Sequence, residues 1–266
     1  MELWQAIVAF IQGLVEWLPI SSEGQTVLFV YNFGNIPPEG LISLVAWLHL
    51  GTTLAVIARY PKTIWEILTL KDKTLMKLLL IATMSTAISA VPLYFLLRSS
   101  LSVLHGEFLN VFVGVLLLIT ASILYIPTRR SLGHKIETFE PNERIACVTG
   151  LIQGFSVLPG LSRSGVTISS LLMQKVDKET AMRFSFFMSI PAVLGIFVLE
   201  MLLGTITPPG FAILDLLIME LIVFVVGLLS MEMLLRISKS VSFWKLCLII
   251  GVIAILFGIP GVFILI

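Results

Sequence analysis

Gln12 and Glu16 stand four residues apart, the spacing that puts two side chains on one face of a helix, and Ser21, Ser22, Glu23 and Gln25 follow just past Pro19. A second stretch sets Pro159 and Gly160 ahead of Ser162, Arg163, Ser164, Gly165 and Thr167. A proline–glycine break followed by hydroxyl residues opens a helix, and such an opening presents free backbone N–H groups and partial positive charge to an anion. Arg163 would add a bidentate fork, Ser162, Ser164 and Thr167 hydroxyls, and Gly160 and Gly165 close approach, which together make an oxyanion or phosphate cradle. The first stretch supplies carboxylates. Brought together, Glu16, Glu23 and Arg163 suit a divalent cation, Mg²⁺ or Ca²⁺, holding a phosphorylated lipid headgroup, with Glu16 and Glu23 as its ligands.

The elements that must position these groups are membrane helices. Of the 266 residues, 58% are hydrophobic and 12% charged, against about 25% charged in a soluble domain. Mean hydropathy is +1.05 over the whole length, so most of the chain is dissolved in something apolar. A net charge of +1 offers no field to gather nucleic acid. Cys147 and Cys247 lie 100 residues apart in apolar runs, which removes zinc and disulfide chemistry. The N-terminus has no basic leader region and no small-residue cleavage site, and is read as mature structure.

Apolar segments fall at 3–20, 25–33, 40–58, 74–97, 108–126, 145–158, 164–174, 180–203, 213–235 and 244–266. Six are long enough to cross a bilayer as helix. The other four form two pairs, each interrupted by one of the polar stretches, as expected of a helix–loop–helix that enters and leaves by one face with its tip buried in protein. Ile11-Gln12-Gly13 recurs as Ile152-Gln153-Gly154 and Gly24-Gln25-Thr26 as Gly165-Val166-Thr167, both at an offset of 141 residues. The chain therefore reads as an all-α polytopic membrane protein of two homologous repeats, 1–128 and 142–266, joined by a cytoplasmic linker, 129–141. Each repeat would hold one re-entrant hairpin and three full spans, and three crossings per repeat make the two inverted. On this scheme 15 of the 17 Lys and Arg fall on one side, leaving Arg98 and Arg163. The positive-inside rule makes that side cytoplasmic, places both termini outside and opens the site to the outer face of the cell membrane.

These motifs resemble those of the undecaprenyl-diphosphate phosphatase family, the bacitracin-resistance proteins. An acidic or glutamine residue ahead of a glutamate and then Leu-Pro-Ile-Ser-Ser looks like Gln12, Glu16 and Leu18 to Ser22, and Pro-Gly-x-Ser-Arg-Ser-Gly looks like Pro159 to Gly165. His49-Leu50-Gly51-Thr52 and Arg183 to Pro191 also look like family stretches. The resemblance implies a hydrolase that removes the terminal phosphate of a polyprenyl diphosphate with help from a divalent metal, recycling a lipid carrier for envelope glycan synthesis. Its partners would be that lipid and the surrounding membrane lipids, with room for a homodimer. Glu16 would bind metal or handle protons, Gln12 would be its polar partner, Arg163 would clamp the diphosphate, and Ser162 and Thr167 would support it. Ser22 is a candidate nucleophile, and a water is equally compatible with these residues. Ser21, Gln25, Ser164 and Gly165 complete the expected substrate contacts.

One departure stands out. After Ser22 the family commonly has a small or hydroxyl residue, then Gly and His, where this chain has Glu23, Gly24 and Gln25. Glutamine cannot exchange a proton near neutral pH, so the histidine's role is vacant in this loop: either Glu23 does the acid–base work, or the lipid-diphosphate pocket is kept with its reaction lost or altered. His49, His105 and His134 lie outside both loops, and His49 reads most simply as an interhelical hydrogen bonder. A rival reading is a transporter of the polyprenyl phosphate carrier, because inverted repeats with broken helices also serve alternating access.

Overall fold

The computed structural model describes residues 1–34, 36, 39–101, 107–130, 140–237 and 243–264; His105, His134 and most of the linker lie outside them. The described residues contain no strand. They form α1 (Leu3–Val15), α2 (Ser22–Phe33), α3 (Glu39–Arg59), α4 (Pro61–Leu68), α5 (Lys73–Leu101) and α6 (Glu107–Arg130). After the linker come α7 (Glu143–Gly154), α8 (Arg163–Met173), α9 (Lys178–Leu202), α10 (Ile213–Ile237) and α11 (Phe243–Ile264).

Five of these, α3, α5, α6, α9 and α10, are long and apolar enough to cross a membrane. The sixth expected span coincides with α11, which is apolar over Phe243–Ile259. Leu80, Met84 and Ile88 make an exposed apolar stripe along α5 at helical spacing, and Leu214, Leu217 and Leu221 do so on α10. Stripes of that length facing outward belong in lipid, so this is a multi-pass membrane protein.

The helices that carry the polar stretches are different. α1, α2, α7 and α8 have 13, 12, 12 and 11 residues. At about 1.5 Å per residue none reaches the roughly 30 Å of a hydrocarbon core. Pro19 and Pro159 lie in the breaks between the helices of each pair, where a proline cannot continue a helix. Their tips meet inside the bundle. Ser21, held at φ 60°, accepts hydrogen bonds at Oγ from the amides of Gly24 (3.2 Å) and Gly160 (3.1 Å), and Ser164 donates to the Leu18 carbonyl (3.3 Å). Thr120 of α6 steadies the second tip by donating to Gly160 O (2.9 Å) and accepting from the Ser162 amide (3.2 Å). Cys247 of α11 steadies the first by donating to Pro19 O (3.2 Å). Irregular backbone at membrane depth is tolerated only when its polar groups are satisfied by protein in this way.

The hairpin helices fit by close approach. A Cβ on Gly150 of α7 would lie 2.3 Å from the Ala82 carbonyl oxygen of α5, which is backbone and cannot swing aside. Gly150→Ala is therefore expected to force α5 and α7 apart at a cost of about 1–3 kcal/mol, read as a lower thermal unfolding midpoint in detergent. An unchanged midpoint would mean the two helices separate freely.

Candidate active site

Glu16, the residue that ends α1, is 5% exposed and sits where the two hairpins meet. Its Oε1 pairs with Arg163, the first residue of α8. Its Oε2 accepts from Gln12 Nε2 (2.8 Å) and from the hydroxyl of Ser22, the first residue of α2 (2.5 Å). Gln12 is fixed in turn by Thr26, which donates to its Oε1 (3.4 Å). An arginine and a carboxylate taken out of water hold together only because such further bonds satisfy their remaining lone pairs and protons.

A third titratable group enters from α3. His49 Nδ1 lies 2.7 Å from the Val45 carbonyl oxygen, which can only accept, so Nδ1 carries a hydrogen. Its Nε2 lies 3.2 Å from Glu16 Oε2 and 3.6 Å from Glu23 Oε1. When the ring is protonated, Nε2 is within ion-pair reach of both carboxylates.

Glu23, His49 and Arg163 form the polar end of a cavity of about 350 Å³ whose remaining walls come chiefly from α5 and α9, among them Ala87, Ala90, Val193 and Leu199. Val91, Val198 and Leu202 line the cavity and are also exposed on the outer face of the bundle. An apolar chain could thus leave the charged end and pass sideways into lipid. A Cβ on Gly195 would meet no atom within 4 Å, so this wall is open where α9 passes it.

The chain matches the family described as Bacitracin resistance protein BacA over residues 5–256. It belongs to that family. It is 36% identical over 264 residues to an undecaprenyl-diphosphatase of Methanopyrus kandleri, covering 96% of each chain. It is 38% identical over 256 residues to one of Methanothrix thermoacetophila, again covering 96% of each, and 36% identical over 262 residues to one of Thermosipho africanus, covering 95% of this chain and 98% of that one.

For a member of the bacitracin-resistance family, the geometry changes several sequence expectations. An imidazole approaches from elsewhere in the fold: His49, expected to be a structural hydrogen bonder outside the site, lies beside both carboxylates. Gln25 itself turns back to donate to Ile20 O (3.1 Å) and does not line the cavity. The expected cradle hydroxyls are also committed. Ser162 caps α8 by accepting from the Gly165 amide (3.1 Å), and Ser21 and Ser164 tie the loops together. Thr167 donates to Arg163 O (2.8 Å) and lies 2.6 Å from Ser185 Oγ. Gly165 packs toward Pro19 rather than opening a path to a ligand. Of the residues expected to touch substrate or react with it, Arg163 and Glu23 line the cavity, while Glu16 and Ser22 stand directly behind Arg163.

The expected metal pair also changes. Among the described residues no three His, Cys, Asp or Glu side chains are grouped to hold an ion. Both oxygens of Glu16 are taken up by Arg163, Gln12, Ser22 and His49, so Glu16 does not fit as a ligand. Glu23 does: its side chain is 22% exposed and faces the cavity. A hard divalent ion commonly takes one or two carboxylates and finds its other ligands on substrate phosphates and water.

Proposed function

We propose that the chain hydrolyses a polyprenyl diphosphate of the undecaprenyl type to the monophosphate and inorganic phosphate. One observation carries this reading: an arginine–carboxylate pair with an imidazole and a second carboxylate closes one end of a cavity whose walls are mostly apolar and which reaches the lipid-facing surface. That shape suits a ligand with a highly charged head and a hydrocarbon tail. The names of its relatives agree with it, and nothing in the geometry favours the carrier-transport alternative.

The parts divide the work as follows. Arg163 uses Nη2 on Glu16 and reaches the Ser189 carbonyl from Nη1 (3.5 Å), and its remaining N–H groups would serve phosphate oxygens, where negative charge builds up as the phosphoryl group transfers. Glu16, with Gln12 and Ser22, holds that guanidinium in place. We read water as the attacking oxygen, because the Ser22 hydroxyl is spent on Glu16 and does not line the cavity, whereas Glu23 and His49 do. The proton that water loses passes to the Glu23–His49 pair. Glu23 would also hold a divalent cation, Mg²⁺ or Ca²⁺, which when bound neutralises the diphosphate charge. The cluster of cationic residues away from Arg98 and Arg163 supports an outward-facing site with both termini outside, and the packing of α1 on α10 and of α7 on α5 supports reading the halves as inverted repeats.

Purified protein in detergent is expected to release phosphate from a long-chain polyprenyl diphosphate with Mg²⁺ or Ca²⁺ and to stop with EDTA. Protein that binds the lipid and releases no phosphate with either metal would sink the hydrolase reading.

A further inference from the structure

The second copy of the Ile-Gln-Gly motif, Ile152-Gln153-Gly154, has no part in the mechanism so far. In the first copy Gln12 is used at both ends, its Nε2 by Glu16 and its Oε1 by Thr26. At the same 141-residue offset the second copy has Val157 in place of Glu16 and Thr167 in place of Thr26, and Thr167 is turned to Ser185 and the Arg163 carbonyl. Gln153 therefore has neither partner. Its Nε2 donates to Thr86 Oγ1 (3.1 Å), whose own hydrogen faces the carbonyls of Ala82 (2.8 Å) and Gly150 (3.0 Å). Thr86 can thus only accept from Gln153, which fixes which end of the amide is which. The other end, Oε1, is buried and has no hydrogen-bond partner, in a residue 2% exposed. Gln153 lines the cavity that Glu23, His49 and Arg163 close, beside Thr86 and Ser156.

A buried amide oxygen left without a donor is costly, so its place in a reaction cavity points to a ligand that brings the hydrogen. The prenyl tail has no polar hydrogen. Water does, and a glutamine that accepts from the attacking water is a known device in phosphoryl transfer. We propose that Gln153 orients the hydrolytic water through Oε1. The inference rests on the hydrolase reading above. As the water oxygen bonds to the terminal phosphorus, the bridging P–O bond breaks and its electron pair leaves on the prenyl monophosphate. One water hydrogen stays on the new phosphate, held toward Gln153, and the other passes as a proton to Glu23 and His49.

The test compares Gln153→Met, which keeps length and removes the acceptor, with wild type on a long-chain polyprenyl diphosphate plus Mg²⁺ or Ca²⁺, with and without added methanol. The expected result is a kcat lower by about tenfold to hundredfold, a KM within about twofold, and a larger share of methyl phosphate among the products, because water has lost its positioning partner. Thr86→Val frees the amide without removing it and should shift the product ratio the same way with a smaller kcat loss; it also serves if Gln153→Met fails to fold. An unchanged kcat, or a joint loss of kcat and KM with an unchanged product ratio, would overturn the role of Gln153 while leaving the hydrolase standing. Wild type that releases no phosphate brings down both.

Discussion

Arg163→Ala is expected to lower kcat/KM for polyprenyl diphosphate by at least about a thousandfold, the scale on which an arginine that meets a transferring phosphoryl group acts. Glu16→Gln is expected to do nearly as much, although on the geometry it touches no substrate, because it lets go of the guanidinium. Glu16→Gln also leaves Arg163 as an unpaired charge in a largely buried site, which costs about 3–5 kcal/mol of stability, while Arg163→Ala leaves Glu16 to His49, Gln12 and Ser22 and costs less. Activity loss alone therefore cannot separate a clamp from a brace. The double variant Glu16→Gln, Arg163→Gln separates them: with both charges gone the thermal midpoint should recover much of what Glu16→Gln alone lost, while hydrolysis stays absent. If folding and hydrolysis return together, Arg163 supports the fold and does not bind the diphosphate. Near-normal turnover by either single variant would remove the pair from the mechanism.

How far the sequence could reach depended on whether an interaction was local. Glu16, Gln12 and Ser22 lie within ten residues of one another, so helical spacing and one proline turn brought them to a point. Arg163 was legible for the same reason, within its own loop, and the 141-residue offset told which loop it should face. Helix ends were harder. The apolar segments 3–20 and 145–158 ran past Val15 and Gly154 because Trp17, Leu18, Val157 and Leu158 sustain hydropathy after the helices have stopped. The short helix α4 leaves no apolar segment in the sequence, since Lys62 and Glu66 break its apolar run into short pieces. The fates of Ser21, Gln25 and Thr167 were not legible at all. A hydroxyl or amide can spend itself on any nearby backbone group, and whether it faces a ligand or its own turn is decided by packing. His49 lies 33 residues from Glu16, and only the crossing of α3 over the first hairpin carries it there. The signal that could have found it was the presence of an ionisable side chain in the middle of an apolar span, which is a functional hypothesis by default.

His49→Gln is expected to reduce kcat by about a hundredfold or more, with KM changed only a few-fold and little loss of stability. Glutamine can still bond a carboxylate and fill much of the imidazole volume, so packing is largely kept; what it cannot do is pass a proton. Glu23→Ala should lose turnover too, and because Glu23 and His49 would take up the same proton from the attacking water, combining the changes should cost little more than the worse of the two. Full multiplication of the two losses would mean that they act in separate steps. The pH dependence of kcat/KM is the readout that a merely structural histidine would leave alone: one limb of the wild-type profile should be absent in His49→Gln. If His49→Gln keeps near-normal turnover with both limbs intact, Glu23 handles the proton alone and the approach of α3 to the site is packing. If it loses the limb, then the residue missing from the first hairpin has been supplied by a different helix. A site of this family would then be specified by where protons can be exchanged in the cavity, and not by which loop carries the histidine.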